Sequence, residues 1–132
     1  MAGKPLAEKL RLSEGSSALV LNGPENYQEL LGSIPDQVRF LDDCAEEVDF
    51  VHLFAANKKE LLEQIDQAVQ AVKYDGLLWI SYPKGSSGVV TDINRDSLWE
   101  LIKDRGIRPV TQVSVNDTWS ALRFRPAERV GK

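Results

Sequence analysis

The chain has 132 residues, 42% apolar and 27% charged, a formal net charge of −4, one histidine and one cysteine. That length suits one domain around one core, and no apolar run approaches the ~18 residues of a membrane helix, so two full domains and a helical membrane span are excluded. One cysteine builds no disulfide framework, one histidine builds no multi-histidine metal site, and the acidic balance argues against nucleic acid as a partner held by phosphate neutralisation.

Met1 to Pro5 lacks the apolar core of a signal peptide, which points to a cytoplasmic protein. Pro5 to Leu12 carries Leu6, Leu10 and Leu12 among Lys and Glu, the spacing of a short amphipathic helix bracing the outside of a domain. Ala18 to Leu21 is an uncharged strand that stops at Asn22-Gly23-Pro24, and a helix follows from about Glu25, with Tyr27, Leu30, Leu31 and Ile34 on its apolar face. Gln37 to Leu41 is a short strand running into the acidic stretch Asp42 to Glu47. Val48 to Phe54 is mostly apolar on both faces, with Val48, Phe50, His52 and Phe54 on one and Asp49, Val51 and Leu53 on the other, so it reads as a central strand. Asn57 caps the longest helix, which keeps helical spacing through Leu61, Ile65, Ala68 and Val72 and is expected to end near Tyr74-Asp75-Gly76.

Leu77 to Ser81 is a further uncharged strand, and Pro83 stops it before the loop Lys84-Gly85-Ser86-Ser87-Gly88. An ammonium, two hydroxyls and glycine-flanked N–H groups are the ingredients of an anion cradle at the carboxyl end of a strand. The loop is no Walker motif, because the glycine-lysine order is absent. Asn94 to Arg105 reads as a helix stopped by Gly106. Arg108 to Val115 and Trp119 to Arg125 are strands separated by three residues, too few for a parallel crossover, so they form an antiparallel hairpin. The tail is expected to fray from about residue 127. The fold class is thus α/β: residues 1–132 as one three-layer sandwich, with a mostly parallel sheet of about six strands ending in that hairpin.

Strand-helix units followed by a terminal antiparallel hairpin resemble the sheet of class I methyltransferases, shortened by the unit that would follow the acidic strand end. More closely, the runs Ala18 to Asn22, Val48 to Phe54, Leu78 to Gly85 and Asp117 to Phe124 resemble a bacterial family of short proteins of uncharacterised function. The methyltransferase likeness implies a glycine-rich loop after the first strand for adenosylmethionine and an acid after the second for its ribose diol. Here the loop is Asn22-Gly23-Pro24, which has one glycine and loses an N–H donor at proline, while Asp42 or Asp43 matches the acid position.

The candidate ligand-binding residues are therefore Asn22, Asp42, Ser81, Lys84, Gly85, Ser86, Ser87 and Gly88, with Trp119 as a core plug or contact surface. His52 is read as a packed core residue, Cys44 as inert among acids, and Trp79 and Trp99 as core. Ser81 could face His52, but no glycine-x-serine-x-glycine elbow surrounds it, and no catalytic residue or metal ligand is assigned. The expected function is a non-catalytic module that uses no cofactor and binds a small anion or a protein partner. The alternative is an adenosylmethionine-dependent methyltransferase-like enzyme.

Overall fold

The computed structural model describes residues 5–41, 46–88 and 91–129. Helix α1 spans Leu6–Lys9, strand β1 Ser17–Leu21, α2 Tyr27–Leu31, β2 Arg39–Leu41 and β3 Val48–Phe54; α3 spans Lys58–Ala71, β4 Val72–Pro83, α4 Arg95–Ile102, β5 Ile107–Ser114 and β6 Trp119–Pro126. These six strands form one sheet in the order β2-β1-β3-β4-β6-β5. The pairs among β1, β2, β3 and β4 are parallel, while β6 runs antiparallel to both β4 and β5. The mixed six-strand sheet and closing hairpin are as expected from the sequence.

Two apolar layers cover the sheet. On one face Leu61, Ile65 and Ala68 of α3 and Leu98 and Ile102 of α4 meet Val51, Leu53, Leu78, Ile80, Leu122 and Phe124. On the other, Leu6 and Leu10 of the α1 segment and Tyr27 and Leu31 of α2 meet Phe50, Phe54, Trp79 and Ala121. Trp79 ties α1 down: its indole Nε1 donates to the carbonyl of Leu10 at 2.9 Å, which keeps a buried N–H satisfied. Trp99 is only half-buried, and the Arg108 guanidinium lies 5.7 Å over its ring. The helix starts follow their caps. Asn57 Oδ1 accepts the N–H of Glu60 at 2.9 Å, and Asn94 and Ser97 form a reciprocal capping box.

The longest helix ends earlier than its spacing suggests. Helical periodicity continues through Val72, but Val72 already pairs with Val48 of β3, and the ladder then slips so that Phe50 meets Leu77. The slack is taken up by Asp75, which adopts φ 56°, and by Gly76, where an added Cβ would lie 2.9 Å from the Lys73 carbonyl and 3.2 Å from that of Asp49. Strand pairing overrides helix propensity here, and the bulge needs glycine. On the edge strand β5, Pro109 sits where the ladder to β6 shifts, a position that tolerates a residue without an N–H.

Candidate functional site

The carboxyl half of the sheet is fastened by a buried polar chain. The Tyr27 hydroxyl lies 2.8 Å from His52 Nδ1, and His52 Nε2 lies 2.6 Å from Ser81 Oγ. The ring of Phe54 stacks on the imidazole at 4.3 Å. Burial holds the His52 pKa down at about 3 and pushes the Tyr27 phenol above its ordinary range, so both are neutral near pH 7. A neutral imidazole has one donor and one acceptor nitrogen, and each meets a hydroxyl that can take either role. His52 is thus a core residue, as expected. Ser81 must be corrected: it is fully buried and committed to His52, so its hydroxyl is not open to a ligand.

Beside this pillar, at the carboxyl ends of β1 and β2, a cleft of about 560 Å³ is lined by Val20, the loop from Gly23 to Asn26, the first residues of α2 from Tyr27 to Glu29, Phe40 and Leu41. Val20, Phe40 and Leu41 supply apolar surface, and Glu25, Glu29, Asn26 and Gln28 supply carboxylates and amides. The loop geometry has a clear cause. Asn22 takes a left-handed φ of 58°, and its amide donates to the Phe54 carbonyl at 2.9 Å and to Glu60 Oε1 at 2.8 Å. Glu60 also accepts from the N–H of Ala56 at 3.0 Å, so the ends of β1, β3 and α3 are locked together. A Cβ at Gly23 would sit 2.5 Å from Val20 Cγ1 and 3.7 Å from the Phe54 ring. Gly23 therefore lets the chain pass over its own core and does not open a backbone cradle.

Lys84 stands at the end of β4, its N–H donating to the Thr118 carbonyl at 2.8 Å and its ammonium to Ser114 Oγ at 2.6 Å. Gly85–Ser87 is a 3-10 turn, Ser87 Oγ donates to the Lys84 carbonyl at 2.7 Å, and Gly88 closes it at φ 82°. Ser86 lies within that turn. Trp119 meets the Phe54 ring edge-on at 5.1 Å and is half-buried, so it plugs the core beside the hairpin turn. Asp42 and Cys44 lie outside the described residues. The structure thus ties the Asn22 amide to the ends of β3 and α3 and keeps it out of the cleft lining, sends Ser81 inward and leaves Lys84 to Gly88 on a separate turn. The cleft wall formed by α2 was not foreseen, because which side of the sheet Tyr27 packs on is set by its long-range bond to His52.

No family model matches the chain, and no curated protein matches it in sequence. Solved structures do match. A ribosomal protein L11 methylase from Lactobacillus delbrueckii subsp. bulgaricus superposes with a TM-score of 0.57 at 8% identity, covering 90% of this chain and 73% of its own. DhpI in complex with SAH gives 0.59 at 14% identity, with 92% and 82% covered. The fibrillarin pre-rRNA processing protein of Methanococcus jannaschii gives 0.52 at 15% identity, with 95% and 70% covered. Likeness at such identities establishes the fold: this chain has the Rossmann-like fold of class I methyltransferases. The resemblance to short bacterial proteins gains no support from a family model. The expectation that no cofactor is used is overturned, since a protein of this fold carries SAH in its solved complex.

Proposed function

We propose that the chain is a methyltransferase-like protein that takes S-adenosylmethionine, or its product S-adenosylhomocysteine, in the cleft between the carboxyl ends of β1 and β2. The observation that carries this reading is the coincidence of the strand order β2-β1-β3-β4-β6-β5 with a cleft of about 560 Å³ at those ends, where ligands of open α/β sheets collect. The SAH complex of a structural neighbour supports it.

The residues fit most of the group. Val20, Phe40 and Leu41 offer apolar surface to an adenine, and the Glu25 and Glu29 carboxylates suit a sulfonium and an ammonium. Asp42, next after Leu41 in the chain, is the carboxylate assigned to the ribose hydroxyls. The amino-acid carboxylate end lacks a glycine-rich cradle, because the space at Gly23 is filled by Val20. When bound, S-adenosylmethionine supplies an activated methyl group. The chain's contribution is to hold it: α2 forms the wall, and the Tyr27–His52–Ser81 chain fixes α2 on the sheet. No acceptor is assigned. In the same reading Lys84 to Gly88 remains a place for a small anion, favoured by an ammonium whose partner is the neutral Ser114 hydroxyl. A bacterial, cytoplasmic setting belongs to the proposal as well.

Calorimetry with S-adenosylhomocysteine tests it on wild type, Phe40→Ala and Asp42→Asn. Losing a hydrogen bond to a charged group costs roughly 1.5–3 kcal/mol, so Asp42→Asn should weaken binding by about 10- to 100-fold. Absence of heat from folded wild type at millimolar ligand overturns the proposal.

A further inference from the structure

Away from the cleft, toward the amino end of β4, arginines collect on the face that α1 covers. Arg123 pairs with Trp79 in the β4–β6 register, and Trp79 holds the Leu10 carbonyl, which puts the next residue, Arg11, on the same side of the sheet as Arg123. Arg125 follows on the same face of β6. Burial first, and then the positive charges of Arg11 and Arg125, hold the Arg123 guanidinium below its ordinary range. Among the described residues one carboxylate, Asp75, pairs with this cluster. It takes a bidentate pair from Arg125 at 2.8 Å and a longer contact from Arg129 at 3.5 Å. Among the described residues Arg11 has no ion-pair partner, and Arg123 Nε is buried with no hydrogen-bond partner. An unpartnered buried guanidinium N–H is costly.

The backbone adds a second observation. Helix α1 closes with the N–H of Leu12 on the Ala7 carbonyl and that of Arg11 on the Glu8 carbonyl, both at 3.0 Å, which is a Schellman ending. Arg11 occupies its left-handed position at φ 63°, where glycine is the favoured residue. Asp75, at φ 56°, is strained in the same way. Two of the four described non-glycine residues with positive φ therefore belong to this one cluster.

We propose that Arg11, Arg123 and Arg125 form a binding site for a phosphate group, inorganic phosphate or a small phosphomonoester. Planar guanidinium forks match phosphate oxygens, and a dianion suits a cluster with more cations than carboxylates. The site is separate from the adenosyl cleft and does not depend on it.

The test uses the full chain carrying Lys84→Ala, which removes the other candidate cation. Melting temperature and calorimetry are followed with inorganic phosphate against sodium chloride of equal ionic strength. A phosphate-specific rise in melting temperature is expected. Arg11→Gly should weaken phosphate binding at least tenfold while its own melting temperature stays level or rises, since glycine relieves the left-handed backbone. Arg123→Met, which keeps the apolar stem, should weaken binding similarly. No phosphate-specific rise, a rise only with an oligonucleotide, or unchanged phosphate binding in both arginine variants overturns the site.

Discussion

His52 Nε2 stands 2.6 Å from Ser81 Oγ across the β3–β4 pair, in a core where neither side chain meets water. The imidazole is kept neutral by burial, with a folded pKa of about 3 against 6.5 in the unfolded chain. Below pH 6.5 the unfolded chain takes up a proton that the folded one refuses. Stability is therefore full above that pH and falls as pH drops toward 3, by about 1.4 kcal/mol per pH unit. Because His52 is the sole histidine, its ring resonances report it alone. They should stay in the neutral form down to pH 4.5 in the folded protein, with urea midpoints falling over the same range. Titration near pH 6.5 without unfolding would remove the basis of this prediction.

Tyr27→Phe removes the hydroxyl that meets His52 Nδ1 and leaves a buried nitrogen without its partner. The expected cost is about 1–3 kcal/mol in urea melts. Tyr74→Phe, at a position 67% exposed, is the control and should stay within about 0.5 kcal/mol. Equal effects would mean that the Tyr27 bond adds nothing.

Gly23→Ala should cost about 1–3 kcal/mol, because its Cβ would overlap Val20 Cγ1. Val20→Ala should recover much of that loss in the double variant, a coupling that a double-mutant cycle measures directly. Gly85→Ala meets no atom within 4 Å and should be near neutral. If Gly23→Ala is neutral and uncoupled from Val20, the glycine serves something other than core packing.

Much of the fold was legible because several signals are local. The strand Val48–Phe54 was read residue for residue, since apolar runs on both faces leave it no other place than the sheet centre. The hairpin was legible because three residues cannot carry a parallel crossover. The end of α3 was not, since Val72 satisfies the helix period and only its pairing with Val48 decides otherwise. The site was less legible. Ser81 sits at a strand end like a ligand residue, yet its direction depends on His52, 29 positions away. Arg11 shares a side of the sheet with Arg123 through the bond from Trp79 to Leu10, two residues 69 positions apart.

Lys84→Ala should change folding stability by no more than about 0.5 kcal/mol, because its ammonium bond to Ser114 is exposed. A loss of several kcal/mol in urea melts would make Lys84 a structural tie between β4 and the hairpin.

The measurement that bears most directly on the proposed function is a titration of isotope-labelled protein with S-adenosylhomocysteine, followed by backbone amide shifts. Saturable changes are expected at Val20, Gly23, Tyr27 to Glu29, Phe40 and Leu41, the residues of the β1–β2 cleft. No change at millimolar ligand, or changes confined to a second cleft, lined by Val72, Ile107 and Phe124, would contradict an adenosyl site at the carboxyl ends of these strands.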